Sequence, residues 1–371
     1  MDLCIIAVPA IYVPNVLLDC ALKNIKNVII ISAGFLESGR DDLERDILNI
    51  AKKYNIRLLG PNCFGVVNTS NNLDCTFARM SPIRGKVGFI SQSGALWSYI
   101  ADYSVSNNLG FSKFASVGDM ADVSFEELLE YFEKDSDTKI IMLYIEALKD
   151  GRRFMKAVSS CKKPVIAVKG GIGEAGSRAA HSHTGSLAGS FEVYKAAFKQ
   201  AGVHFAVNLT EALDLAKFLS MQKKPSSSRT LVITNAGGPG ILMADSLERN
   251  NVEIVKLPKL DFKLPLAWSH NNPIDVLGDA DDLRFKEVFS KIKKKKFYDI
   301  VVVILTPQEM TDDEKISKEV VKFYLSSGKN VICCFMGVKT FKTSREILER
   351  NKIPCFSSIE RVADLIGNVR G

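Results

Sequence analysis

The sequence predicts an α/β protein of consecutive doubly wound parallel-sheet domains, and three observations carry that prediction. Short, continuous apolar runs recur at residues 27–31, 87–90, 140–145, 230–234, 299–305 and 330–335. Runs without polar alternation belong to strands covered on both faces. Between them lie stretches whose apolar residues recur at helical spacing, and strand–helix–strand alternation reads as βαβ in a parallel sheet. The runs end in turns rich in Gly, Pro, Ser or Asn, and the pattern restarts twice, which 371 residues can accommodate as two or three domains.

The first domain is expected over residues 1–83. A strand lies within residues 3–8, a helix carries Val16, Leu17, Cys20 and Leu22, and residues 27–31 form a second strand. A charged helix over 41–53 precedes a third run that passes into a tight turn at 58–65. Ligands on such sheets bind beyond the carboxyl ends of the strands. Val8, Pro9 and Ala10, Ser32 and Ala33, and Asn62 and Cys63 stand at those ends. Each turn alone signals only a turn; together they suggest a ligand edge. A dinucleotide-type unit opens with a glycine-rich phosphate turn. None precedes Leu3, so this domain is expected to be partial.

The second domain is expected over 84–222. Strand 87–90 runs into Ser91, Gln92, Ser93, Gly94 and Ala95, where a helix carrying Leu96, Tyr99, Ile100 and Tyr103 begins. This turn is either an anion site, with free backbone N–H groups and the positive end of the helix dipole facing a ligand, or an ordinary serine N-cap. Strand 113–117 ends at Gly118 and Asp119, and Asp122 or Ser124 caps the helix over 125–133. Glu146 stands at the carboxyl end of strand 140–145, where carboxylates serve as caps, ion-pair partners or orienting groups. A helix through Arg152, Phe154 and Met155 leads to strand 164–168.

Residues 169–190 then form a long glycine-rich segment holding His181 and His183, two of the four histidines, before a helix marked by Phe191, Tyr194, Phe198 and Ala201. Loops of that length within a domain are usually functional or disordered. A histidine on a glycine-hinged loop can be a reagent passed between two places, and His183 is the candidate. A helix over 212–219 closes the domain.

Residues 222–229 read as a linker, and 229–371 as a third domain. Its first strand, 230–234, is followed by a GGPG turn at 237–240. That turn either cradles a phosphate or only turns the chain; a lone glycine-rich turn is weak, and the structural reading is preferred. An irregular stretch ends at 272–275 before strands 299–305 and 330–335.

The net charge of +7 is dispersed. Its one basic run, Lys293 to Lys296, reads as the solvated end of a helix without a nucleic-acid recognition motif. The 8 cysteines show neither CxxC pairing nor metal spacing, so reduced thiols in a cytoplasmic protein and no metal site are expected. No signal peptide is visible at Met1, and no apolar run approaches the ~20 residues that cross a membrane.

Taken together, IAVPA at 6–10, ISAGF at 31–35, GPNC at 60–63, ISQSGA at 90–95, YIE at 144–146 with DGRR at 150–153, SHTG at 182–185, TNAGGPG at 234–240, NPID at 272–275 and LTPQ at 305–308 resemble the nucleoside-diphosphate-forming acyl-CoA synthetases. The resemblance is to the α-type part of the ADP-forming acetyl-CoA synthetases and, more distantly, to the α subunit of succinyl-CoA synthetase. It covers nearly the whole chain. It implies a partial Rossmann-like CoA-binding domain followed by two flavodoxin-like domains of succinyl-CoA-synthetase type.

The resemblance also implies a reaction. Phosphate displaces CoA from an acyl-CoA, a histidine takes the phosphoryl group from the acyl phosphate, and the phosphohistidine passes it to ADP. The SHTG match makes His183 the implied phosphohistidine; His181 lacks that match. Glu146 is then the acceptor of a hydrogen bond from one ring nitrogen, and residues 91–95 hold the transferring phosphoryl group. CoA is implied at Val8, Pro9, Ala10, Ser32, Ala33, Asn62 and Cys63. ATP or ADP with Mg2+ is implied on a separate ATP-grasp β subunit in a hetero-oligomer, with a small carboxylic acid or its acyl-CoA as substrate. A different outcome is a non-catalytic, CoA-responsive or assembly module derived by loss of the opening segment. A nicotinamide oxidoreductase would need a dinucleotide fingerprint that the sequence does not contain.

Overall fold

A computed structural model describes residues 2–178 and 190–369. Among the described residues it contains three sheets, of three, seven and five strands. The chain separates into two compact units, 1–212 and 213–371, and the first two sheets lie in the first unit.

In the first sheet β1 (Cys4–Ile6), β2 (Asn27–Ile30) and β3 (Arg57–Leu59) pair in parallel in that order. Helices α1 (Val13–Leu22) and α2 (Asp41–Tyr54) connect them, and Val13, Leu17, Leu43 and Ile47 pack with Ile6, Val28, Ile30 and Leu58. On the other face Ile29, Leu59 and Cys63 meet Val66, Cys75 and Val123. The α2 sequence opens on Asp41, Asp42 and Glu44 and ends on Lys52 and Lys53, a charge order that complements the helix dipole.

The second sheet holds β4 (Val66–Asn68), β5 (Leu73–Asp74), β6 (Arg84–Ser91), β7 (Phe111–Ser116), β8 (Ile140–Ile145), β9 (Val165–Lys169) and β10 (His204–Ala206). Their order is β10-β9-β8-β6-β7-β4-β5. The parallel strands β6 to β10, numbered one to five, are thus ordered 2-1-3-4-5, the flavodoxin-like winding. The antiparallel hairpin β4–β5 extends the edge beside β7.

Helices α4 (Phe125–Lys134), α5 (Gly151–Ser160) and α6 (Phe191–Gln200) supply Phe125, Leu129, Phe154, Val158 and Phe198 to one face of this sheet. On the other face, Trp97 of α3 (Ala95–Asn107) stacks on Phe114 with ring centroids 4.1 Å apart. Ser124 caps α4 through a capping box with Glu127. Asp122, the other candidate cap, instead accepts from the Leu58 N–H at 2.8 Å and pairs with Arg57.

The second unit carries β11 (Thr230–Thr234), β12 (Ile274–Asp275), β13 (Ile300–Leu305), β14 (Asn330–Phe335) and β15 (Cys355–Phe356), ordered β12-β11-β13-β14-β15. This is the same 2-1-3-4-5 winding. Phe285, Phe289, Ile316 and Phe323 cover Leu231, Ile233, Val301, Val303 and Cys333. Val232, Val302, Ile304 and Cys334, pointing the other way, are also fully buried, as expected of a parallel sheet. The segment expected as a linker begins on a buried anchor: the Gln222 amide donates to Val331 O at 2.7 Å and accepts from the Val331 N–H at 3.0 Å. Among the described residues no helix is long and apolar enough to cross a membrane.

Candidate active site

In a 2-1-3-4-5 sheet the chain winds in opposite directions from the gap between its first and third strands, and ligands sit at the carboxyl ends beside that gap. In the second sheet these strands are β6 and β8. The turn at Ser91–Ala95 leaves β6, and Glu146 ends β8. Two groups chosen on sequence grounds therefore meet at the topological switch point.

The turn is built from the inside. Ser91 is fully buried and donates its hydroxyl to Ser93 O at 2.8 Å. Gln92 is also buried, and its Oε1 accepts from the Glu146 N–H at 2.6 Å and the Ala147 N–H at 2.9 Å. The side chains of Ser91 and Gln92 thus hold protein groups, leaving Ser93, Gly94 and Ala95 as the open rim at the start of α3. The first N–H groups of a helix lack intrahelical partners, so the rim offers backbone donors and a positive dipole end to an anion. Gly94 is required by packing: a Cβ there would stand 2.6 Å from Phe64 Cβ.

Glu146 is 8% exposed. Beneath it, Lys169 at the end of β9 is only 2% exposed, and its Nζ donates to Glu146 O at 2.8 Å and to Gly170 O. Burial lowers the Lys169 pKa, opposed by the Glu146 charge. Tyr144 lies on the same side of β8 as Glu146, two residues earlier. Burial first, then the charge and hydrogen bonding of Glu146, push the Tyr144 phenol up to about 12. A Cβ on Gly170 would lie 2.6 Å from Tyr144 Oη and 3.5 Å from Glu146 Cγ, so that glycine leaves room for both. Sequence reasoning assigned no role to Lys169 or Tyr144. The available signals were a lysine closing an otherwise apolar strand and a tyrosine in phase with Glu146.

The structure brings the three turns of the first sheet into one edge. The Ser32 hydroxyl donates to Val8 O at 2.5 Å, and the Asn62 N–H donates to Ser32 O at 3.0 Å. Pro9 and Ala33 are exposed, while Val8, Ala10, Ser32 and Asn62 are half-buried. Cys63 is buried against Ile30 O at 3.2 Å, and burial pushes its thiol up to about 12. It therefore shapes the edge from within and is no nucleophile there.

This edge adjoins the second sheet through backbone bonds, Asp119 N–H to Pro61 O at 3.0 Å and Ala121 N–H to Gly60 O at 3.1 Å. Asn62 Nδ2 donates to Asp119 Oδ1 at 3.2 Å. Burial, and next the Glu37 carboxylate, raise Asp119 to about 8. His181 and His183 lie outside the described residues.

Residues 84–219 match the family described as succinyl-CoA ligase like flavodoxin domain. The chain is 40% identical to the ADP-forming acetate–CoA ligase II subunit alpha of Pyrococcus furiosus, over 98% of this chain and 82% of that subunit. It is also 40% identical to ADP-forming acetate–CoA ligase I of Archaeoglobus fulgidus, over 96% of this chain but 52% of that protein, so it spans about half the length of this relative. Among solved structures, a dinucleotide-forming acetyl-coenzyme A synthetase 1 from Ca. Korarchaeum cryptofilum, in complex with phosphate and ADP, superposes with a TM-score of 0.92 at 33% identity, covering 100% of this chain and 82% of that one.

Proposed function

The chain belongs to the ADP-forming acetate–CoA ligase family, and from that premise we propose that it is the α-type part of an ADP-forming acyl-CoA ligase. It works in the cytoplasm with a separate ATP-grasp β subunit that binds ADP or ATP with Mg2+. Acyl-CoA, phosphate and ADP are interconverted with the acid, CoA and ATP. The relatives named as alpha subunits support the two-chain arrangement; the residues of the site support the chemistry.

The observation that carries the reading is the meeting of the Ser93–Ala95 rim with Glu146 at the switch point of the second sheet. CoA lies along the edge formed by Val8, Pro9, Ala10, Ser32, Ala33, Asn62 and Cys63, with the acyl group toward the rim. Phosphate attacks the thioester carbonyl and the CoA thiolate leaves. The His183 imidazole then attacks the phosphorus of the acyl phosphate, and the carboxylate departs as the free acid. Glu146 accepts the hydrogen bond of the other ring nitrogen, selecting the reactive tautomer and stabilising the imidazolium that forms. Backbone N–H groups at the rim face the charge on the transferring phosphoryl group, where preorganised donors are most effective.

The test is phosphoryl labelling. With the β subunit and [γ-32P]ATP, this chain should acquire an acid-labile, base-stable label at His183. His183→Ala should abolish the label and His181→Ala should leave most of it. Glu146→Gln should slow labelling by about two to three decades, because an amide accepts a hydrogen bond but does not stabilise an imidazolium. Label located anywhere but His183 would refute the mechanism.

A further inference from the structure

Lys169 is a buried cation at the end of a strand that is otherwise Val165, Ile166, Ala167 and Val168. Removing an ammonium from water is costly unless specific partners replace its hydration. Among the described residues its partners are few and particular: Glu146 O at 2.8 Å, Gly170 O, and the face of the Tyr194 ring with Nζ 4.8 Å from its centroid. The two carbonyls belong to the orienting carboxylate residue and to the first glycine of the histidine-bearing segment.

On the opposite side of Glu146, the Gln92 amide oxygen takes the N–H groups of Glu146 and Ala147. The peptide before the Glu146 Cα is thus held from the turn at 91–95, and the peptide after it from that turn through its N–H and from the end of β9 through its carbonyl. Holding both peptides fixes the Cα–Cβ direction. The Gly170 N–H donates to Ile145 O at 2.9 Å, so the segment that carries His183 departs from beside the same strand end.

We propose that Lys169 is a positioning residue that ties the Glu146 peptide to Gly170, thereby setting the Glu146 carboxylate in register with the histidine segment that begins there. This rests on the reading of Glu146 and His183 given above. A lysine serves where an apolar residue would satisfy the core because its Nζ can donate to two carbonyls at once. The tie acts on the geometry of phosphoryl transfer and leaves nucleotide binding untouched.

The experiment uses the full chain assembled with its β subunit and [γ-32P]ATP as probe, comparing wild type with Lys169→Met and Lys169→Arg below their melting temperatures. The methionine variant should label about 100-fold more slowly at saturating ATP, the scale expected when a catalytic group is displaced by about 1 Å. Its KM for ATP should stay within about threefold of wild type, as follows when only the transition state loses an interaction. Lys169→Arg, which keeps donors and charge, should recover to within about tenfold of wild type. A methionine variant as fast as wild type, a rate loss matched by a rise in KM, or an arginine variant as slow as methionine would overturn the role of Lys169 alone. A wild-type chain that takes no label at His183 would overturn the reading on which that role rests.

Discussion

Asp119→Asn should stabilise the protein at alkaline pH and leave it nearly unchanged in acid. Asp119 accepts one hydrogen bond, from Asn62, while its buried Oδ2 has no partner of proper hydrogen-bond geometry among the described residues. Burial and the Glu37 carboxylate raise its pKa from 3.8 to about 8. The native carboxyl therefore keeps a proton that the unfolded chain releases near 3.8. Unfolding releases that proton throughout the interval, and stability falls as pH climbs from about 4 to about 8. The whole shift, at about 1.4 kcal/mol per unit, would be worth roughly 6 kcal/mol; halving it for solvent screening of a partly exposed group leaves about 3 kcal/mol. Asparagine has the shape of the protonated acid and can still accept from Asn62, so it removes this pH dependence without removing the contact. Thermal melting of both proteins at pH 4 and pH 9 reads the difference. The gain should be close to zero at pH 4 and roughly 6–12 °C at pH 9 for a unit of this size. Equal shifts at both pH values, or a variant that melts earlier at pH 9, would refute the argument.

Gly94→Ala should destabilise the first unit by roughly 1–3 kcal/mol and slow labelling of this chain, because the added methyl must push Phe64 or the turn at 91–95 aside; a variant with native melting and labelling rate would contradict the packing. Lys217→Met should cost about 3–5 kcal/mol, measured by denaturant titration, because it leaves Glu349 without the lysine of an ion pair in which both side chains are 5% exposed.

Much of the fold was legible because parallel strands covered on both faces write themselves as unbroken apolar runs. Residues 140–145, 230–234 and 330–335 were read to the residue. The hairpin Val66–Asn68 and Leu73–Asp74 was not, since both strands are short and Leu73 and Asp74 are exposed. His204–Ala206 was likewise too short to carry a period. At the candidate site, Glu146 and the turn at 91–95 were legible from their place after strands. Burial of the Ser91 and Gln92 side chains was not, because a sequence does not say which polar groups a turn keeps for itself. Nor does it show that Asp119 meets Asn62, which lies 57 positions earlier. Such contacts follow from how one sheet lies beside the other.

The division of labour at the turn has a chemical consequence. No lysine or arginine stands within residues 91–95; the one buried cation at the end of β9 directs its Nζ to the carbonyls of Glu146 and Gly170. Within the turn itself an anion on the rim therefore meets backbone donors and a helix dipole rather than a full charge. A group that must be received from an acyl phosphate and then given away gains nothing from being held tightly as an intermediate. Only stabilisation that grows toward the transition state raises the rate. Backbone N–H groups, fixed by the hydrogen bonds of Ser91 and Gln92, can supply that directional component without a strong ground-state ion pair. On the proposed reading, Glu146 and Lys169 set positions, and the uncharged groups of the turn receive the phosphoryl.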